Sequence, residues 1–203
     1  MDLAMKNICI LVSGTGTTLQ AVIDAIAGGK LDARISEVIA DRECMAADRA
    51  RKAGVKTVVV RRGRNFQSDL MKEMENSCAD FFLLAGFLSI LDAGIIERFR
   101  NRIINTHPSL LPCFGGKGFY GMRVHEAVIE SGAKFSGCTV HFVTEEIDGG
   151  PIILQRVLQV DDVDTPETLE NKIHAIEHSA VLQALNIIIS GNYRIVGKRV
   201  IVA

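Results

Sequence analysis

Over its first 105 residues the chain alternates short apolar, often β-branched runs with segments of helical period, and few folds accommodate that alternation. Residues 7–13 read as a buried strand and 17–27 as a helix stopped by Gly28 and Gly29. Residues 35–40 form a second strand, 44–53 a helix ended by Gly54, and 57–60 a third strand. A helix at 66–77, a buried strand at 81–85, a helix capped by Asp92 and running to Phe99, and a short strand at 102–105 follow. Parallel strands need crossover connections, and helices supply them. The pattern therefore predicts an α/β protein, with an open, mostly parallel twisted sheet and helices on both faces.

The pattern changes after residue 106. Residues 110–122 are glycine-rich and have no period. A short helix spans 124–130. Residues 137–143 and 151–160 read as two strands joined by the turn at 145–150, with no helix between them, which predicts an antiparallel portion near the C-terminus. A long helix comes next, with Thr165 as N-cap, Pro166 at its first position and Glu167 in its first turn. Leu169, Ile173, Ile176 and Ala180 make its apolar stripe, and Gly191 stops it. Residues 193–196 and 199–202 predict a hairpin turning at Gly197 and Lys198. No repeat or linker interrupts the series, so one domain over 1–203 is expected.

Composition narrows the function classes. With 203 residues, 48% of them hydrophobic, the chain can bury about 70% of its unfolded surface and needs no disulfide or metal to fold. Lys and Arg number 23 against 24 Asp and Glu, which argues against an extended nucleic-acid footprint or a polybasic membrane surface. Five cysteines without a CxxC pair read as reduced thiols of a cytoplasmic protein. Residues 1–6 are mixed and 8–12 only a strand long, so no leader peptide is expected, and no apolar stretch reaches the ~18 residues of a membrane span.

Four segments carry chemistry. Ser13, Gly14, Thr15, Gly16, Thr17 and Thr18 lie between the first strand and first helix, where glycines permit close approach and free N–H groups favour a phosphate. An ordinary tight turn is the plain alternative. The segment is no P-loop, because no Gly-Lys-[Ser/Thr] follows, and as a dinucleotide fingerprint it lacks the third glycine, where Leu19 stands. Asp41 does follow the second strand, which keeps a nicotinamide-binding reading open. Asn105, Thr106, His107, Pro108, Ser109, Leu110, Leu111 and Pro112 leave a strand end, the usual place for ligands in such sheets. Asn105 and His107, two apart, put their polar tips on one side and suit donation to an oxyanion. Glu145, Glu146, Ile147, Asp148, Gly149, Gly150 and Pro151 form a sharp turn that fixes Asp148 at its mouth, where a carboxylate beside a histidine raises its pKa and orients its ring. His174 and His178 stand four apart on the long helix, but no third ligand is evident and no metal is expected.

Taken together, these segments resemble the phosphoribosylglycinamide formyltransferases, folate-dependent enzymes of purine synthesis. The likeness is collinear over nearly the whole chain. It runs through the Ser-Gly-x-Gly turn, Leu84 to Leu91 (LAGFLSIL), the Asn105-x-His107-Pro108-Ser109-Leu110-Leu111-Pro112 run, Thr139 to Val143 (TVHFV) and Asp148-Gly149-Gly150-Pro151. It implies a Rossmann-like formyltransferase fold, with the N-terminal half on the phosphate side and the C-terminal half on the folate side. It implies Asn105, His107 and Asp148 as the catalytic trio. Gly14, Thr15, Gly16, Thr17 and Thr18 would hold the substrate's ribose phosphate, with His141 and Glu177 near its amine or ribose. Arg64, Leu88, Ser89, Ile90, Leu91, Asn105, Thr144, Glu145, Glu146 and Ile147 would meet 10-formyltetrahydrofolate, a co-substrate, with no permanently bound cofactor. A cytoplasmic monomer or homodimer with small-molecule substrates only is expected.

This chain departs from the family pattern at three places. Thr15, Thr17 and Thr18 replace the usual Asn, Ser and Asn of the phosphate turn. Ser89 stands where many relatives carry Arg, and residues 113–122 make a longer loop than the commonest form. Formyltetrahydrofolate deformylase and methionyl-tRNA formyltransferase share the trio; the former usually has His in place of Pro108 and an extra N-terminal domain, the latter an extra C-terminal domain.

Overall fold

A computed structural model of the chain describes residues 5–203. The expectation of no leader rests on residues 1–6, of which 1–4 lie outside the described residues. The described residues divide into two compact units, 5–104 and 105–203.

In the first unit β1 (Lys6–Val12), β2 (Ala33–Ala40), β3 (Thr57–Val59) and β4 (Phe81–Leu84) run parallel in the order β3-β2-β1-β4. The helices α1 (Thr17–Ala27), α2 (Met45–Lys52), α3 (Phe66–Asn76) and α4 (Ala93–Arg98) alternate with them. Right-handed crossovers out to β3 place α1 and α2 on one face of the sheet. The return from β3 to β4 places α3 on the other. β1 and β4 are buried on both faces, with Ile8, Ile10, Leu11, Phe82 and Leu83 fully enclosed. Each such side chain contributes ~1.5–3 kcal/mol relative to exposure. Where the chain direction reverses, between β1 and β4, the loops leaving the two strands meet, and Ser13 Oγ accepts from the Leu88 N–H at 2.8 Å. Such switch points are where open α/β sheets bind ligands.

The same strand ends hold a polar knot around Asp41. Its buried carboxylate accepts from Arg42 Nε at 2.9 Å, Arg62 Nε at 3.0 Å and Ser89 Oγ at 2.7 Å. Burial alone would raise this carboxyl, but the bonds from Arg42, Ser89, Arg62 and Ser13 outweigh it and hold it down at about 2. Gln67 on α3 completes the anchoring: its side-chain amide donates to Ile90 O at 2.8 Å and accepts from Asp92 N at 3.2 Å. Asp92 in turn caps α4 by accepting from Ile95 N.

The second unit begins inside β5 (Ile103–His107) and continues through α5 (Met122–Glu130), β6 (Phe135–Phe142), β7 (Ile152–Gln159), α6 (Pro166–Ser190), β8 (Tyr193–Val196) and β9 (Arg199–Val202). Its sheet order is β6-β7-β9-β8. β6 and β7 are antiparallel, as are β8 and β9, while β9 joins β7 in parallel.

Two sequence expectations shift. β5 runs on to His107 rather than ending at 105, so His107 projects from the strand as Asn105 does; Pro108, with no N–H to donate, ends it. In α6 the buried stripe includes Glu177, and Ile176 is only half-buried. Both positions fall near the apolar face, but Glu177 finds a donor there, the Thr106 hydroxyl at 3.1 Å. The N-terminus of α6 is fixed as expected, Thr165 accepting from the Thr168 N–H in a capping box, and Gly191 ends it with φ of 69°.

The depressed Asp41 carboxyl carries a stability prediction. Its ionised form is favoured in the fold, so its contribution is present above the ordinary 3.8 and is lost as pH falls through about 2. Asp41→Asn should lower stability by about 2 kcal/mol at pH 7, and the gap from wild type should narrow below pH 4 in urea titrations. A gap that is constant with pH would refute the charge assignment.

Candidate active site

The second unit gathers four side chains by simple strand geometry. Asn105 and His107 alternate on one side of β5, and His141 lies near the end of β6. Asp148 sits in the turn between β6 and β7, with φ of 55°. That turn returns sharply because Gly150 presses on β6; a Cβ there would lie 1.8 Å from Phe142 O. Positive φ is tolerated better by Asp than by most residues, and the turn holds it there.

The four groups form one connected cluster. Asp148 Oδ2 lies 3.5 Å from His107 Nδ1, and its Oδ1 lies 3.7 Å from His141 Nε2. His141 Nδ1 is 2.9 Å from Phe142 O, a group that can only accept, so Nδ1 carries a proton. Nε2 is then the acceptor for Asn105 Nδ2 at 3.3 Å. Burial pushes the His141 imidazole below its ordinary value, against the opposing pull of the Phe142 carbonyl and Asp148. His107 is almost fully buried, and its Nε2 lies 2.8 Å from Phe114 O, so both its ring nitrogens face acceptors. Gly116 N–H donates to Asp148 Oδ2 at 2.9 Å.

The backbone between these groups is tied to β6. Thr139 Oγ1 donates to Ser109 O at 2.7 Å and accepts from Leu111 N at 3.0 Å and Gln155 Nε2 at 3.0 Å. Gln155 Nε2 also donates to Leu111 O at 2.9 Å. Each buried donor left unpaired there would cost ~1–3 kcal/mol.

The cluster can donate to an oxygen on which negative charge develops. One Asn105 amide hydrogen is engaged by His141 and a second is available. Glu177 approaches from another direction: Thr106 alternates to the face opposite Asn105 and His107 and meets the Glu177 carboxylate. Among the remaining turn residues, Thr144 Oγ1 donates to Glu146 O at 3.2 Å, Glu146 pairs with Lys198 at 2.7 Å, and Glu145 and Ile147 are exposed.

In the first unit, residues 14–18 form the expected strand-to-helix turn. Leu88 and Ile90 are 61% and 74% exposed on the anchored segment after β4, while Leu91 turns inward. Ser89 points to Asp41. Arg64 is exposed; its neighbour Arg62 is the arginine that reaches Ser89, at 2.8 Å. The Asp41 carboxylate, already taken by Arg42, Arg62 and Ser89, is not free to receive a ribose, which counts against nicotinamide binding. A surface depression of about 500 Å³, lined by Gln20, Met45, Asp48, Arg49, Lys52 and Ala53, contains none of the predicted site side chains.

Sequence reasoning assigned no site role to Thr106, Phe114, Gly116 or Gln155. Strand alternation signals Thr106; the others act through backbone or amide groups that leave no motif. Among the described residues no three His, Cys, Asp or Glu side chains assemble as a metal site. His174 is exposed, 4.0 Å from Glu177, and His178 Nε2 is buried without a hydrogen-bond partner among the described residues.

The family model described as formyl transferase matches residues 6–185. The chain belongs to the formyl transferase family. A phosphoribosylglycinamide formyltransferase of Escherichia coli K12 is 33% identical over 179 residues, covering 85% of this chain and 82% of the relative. The chloroplastic phosphoribosylglycinamide formyltransferase of Arabidopsis thaliana is 35% identical over 190 residues, 90% of this chain and 65% of the relative. The chain thus spans less than two thirds of the length of the first curated relatives it matches. The crystal structure of glycinamide ribonucleotide transformylase 1 from Symbiobacterium toebii is 37% identical, with a TM-score of 0.90, covering 98% of this chain and 94% of that one. This member of the family therefore has the fold that its strand and helix alternation predicts.

The histidine assignment is testable by ¹⁵N NMR. His141 should titrate below the ordinary 6.5, and its neutral form should be the Nδ1–H tautomer. The unfolded chain takes up that proton first, so this group lowers stability as pH falls below about 6.5. A titration midpoint at or above 6.5 would overturn the assignment.

Proposed function

We propose that this chain transfers the formyl group of 10-formyltetrahydrofolate to the amine of N1-(5-phospho-D-ribosyl)glycinamide, giving the N2-formyl product and tetrahydrofolate in purine synthesis. The observation that carries this reading is the cluster of Asn105, His107 and Asp148 in a chain whose relatives bear that enzyme's name.

In the proposed reaction the substrate amine attacks the formyl carbon. A C–N bond forms as the carbonyl π pair moves to oxygen. The second Asn105 amide hydrogen donates to that oxygen. His107, oriented by Asp148, donates from Nε2, which requires the formyl oxygen to replace the Phe114 carbonyl that Nε2 meets in the structure. The bond to the folate nitrogen then breaks. That nitrogen takes a proton from His107, and the proton lost by the attacking amine returns through water to Asp148 or His107.

His141, neutral and fixed by Phe142 O, orients the Asn105 amide. Glu177 is proposed to receive the substrate's glycinamide amine or ribose, and residues 14–18 its phosphate. The exposed Leu88 and Ile90, on a backbone pinned by Ser13, Asp41 and Gln67, suit the flat apolar face of a pteridine. Arg64, Thr144, Glu145, Glu146 and Ile147 remain proposed folate contacts. Five unbridged cysteines and a described chain without any helix long and apolar enough to cross a membrane fit the proposed cytoplasmic setting. We also propose one functional domain over 1–203, as monomer or homodimer, acting on small molecules and needing no metal.

Purified protein given both substrates should consume 10-formyltetrahydrofolate only when the phosphoribosyl amine is present. Release of formate without the amine would indicate a deformylase instead. Asp148→Asn should lower kcat by ~10²–10³ with little change in either KM, the scale of losing one oxyanion donor. A kcat near wild type would reduce Asp148 to a turn residue.

A further inference from the structure

The turn at residues 14–18 divides its backbone groups into two sets. All three carbonyls from 14 to 16 are taken. Gly14 O accepts from Ala46 N at 3.0 Å, Thr15 O from Arg49 Nε at 2.9 Å, and Gly16 O from Gln20 N at 2.9 Å. The N–H groups of residues 14–18 have no hydrogen-bond partner among the described residues. Two of the three carbonyl bonds come from α2, so a second helix sets the orientation of the turn.

The contact between α2 and the turn is close. Gly16 sits at φ of 76°, and a Cβ built there would lie 2.6 Å from Ala46 Cβ and 2.7 Å from Ala46 Cα. Arg49 is held on its other side by Gln20 Oε1 at 3.4 Å, and Gln20 Nε2 donates to Asp24 Oδ1 at 2.9 Å. The guanidinium thus bridges α1 and the Thr15 carbonyl.

A peptide group is rigid, so fixing a carbonyl fixes the N–H that follows it. Holding Gly14 O and Thr15 O against α2 turns the Thr15 and Gly16 N–H groups to the other side. The first-turn N–H groups of α1 already point outward there, where the helix dipole favours negative charge.

We propose that Arg49 is a positioning residue for the phosphate of the substrate. It acts through the Thr15 carbonyl and does not itself touch the ligand. This rests on the function proposed above, and it adds a second element, α2, to the determinants of substrate affinity.

The test compares Arg49→Met and Arg49→Lys with the wild-type chain. Arg49→Met should raise KM for the phosphoribosyl amine about tenfold, with kcat and KM for 10-formyltetrahydrofolate within twofold. Inorganic phosphate, used as a competitive inhibitor against the ribonucleotide, should weaken by the same factor. Arg49→Lys keeps the charge but loses the planar Nε donor and should fall between the two. In buffer free of any anion that binds the turn, the amide NMR signals of residues 14–18 should already move in Arg49→Met.

Unchanged amide signals with a raised KM would mean direct contact with the ligand and would overturn the proposal. So would an unchanged KM, or a parallel rise of both KM values. If wild type shows neither formyl transfer nor phosphate competition, the function proposed above fails, while the amide signals still decide whether Arg49 holds the turn.

Discussion

A carboxylate taken out of water must find donors or cations, and four such groups shape this chain. Asp41 collects two guanidiniums and a serine hydroxyl. Glu177 meets the Thr106 hydroxyl. Asp148 lies between two imidazoles and takes a backbone N–H from Gly116. Glu37, fully enclosed in β2, has Lys56 Nζ 3.0 Å from Oε1, and its Oε2 has no partner among the described residues. In each case the charge forces neighbouring segments into fixed positions, because leaving it unpaired costs several kcal/mol. Asp41 organises the loops of the first unit and Asp148 the loops around β5. Polar groups near the strand ends are therefore ordered by the demand of each buried carboxylate for partners.

The first unit is legible in the sequence because its signals are redundant. Apolar β-branched runs, glycine stops and the Asp92 cap agree with one another, and each strand boundary falls within two residues of its expected place. The clustering of Asn105, His107 and Asp148 is legible because they sit in motifs with distinctive spacing. What is not legible comes from contacts between distant segments. The pattern of α6 offers Ile176 and Glu177 equally to its buried face, and only the Thr106 hydroxyl decides between them. The Phe114 carbonyl and Gly116 N–H engage His107 and Asp148 through backbone, which any residue type supplies. Residues 113–121 lack a period, so no local rule predicts where they fold.

The two histidines of the cluster differ by environment rather than by kind. His141 is enclosed, its Nδ1 committed to a carbonyl and its Nε2 free to accept. His107 has acceptors at both nitrogens. One carboxylate faces both rings, yet the partners on their far sides differ, and in the proposed reaction that difference gives one ring a holding role and the other a donating one. Second partners of this sort determine what an imidazole does, as they do for metal-bound histidines.

The long helix carries a consequence for how such a chain can change over generations. α6 is tied at its start by the Thr165 capping box and at its end by the left-handed Gly191, with Glu177 between them. Adding or removing one residue before Glu177 would rotate everything beyond it by about 100° and carry the carboxylate away from Thr106. Substitutions on the exposed face of α6 are open to drift, but changes in its length are not. The loop at 113–121 and the β8–β9 hairpin are under no such restriction of phase, so lineages should diverge in length at those places and keep a constant count between 165 and 191.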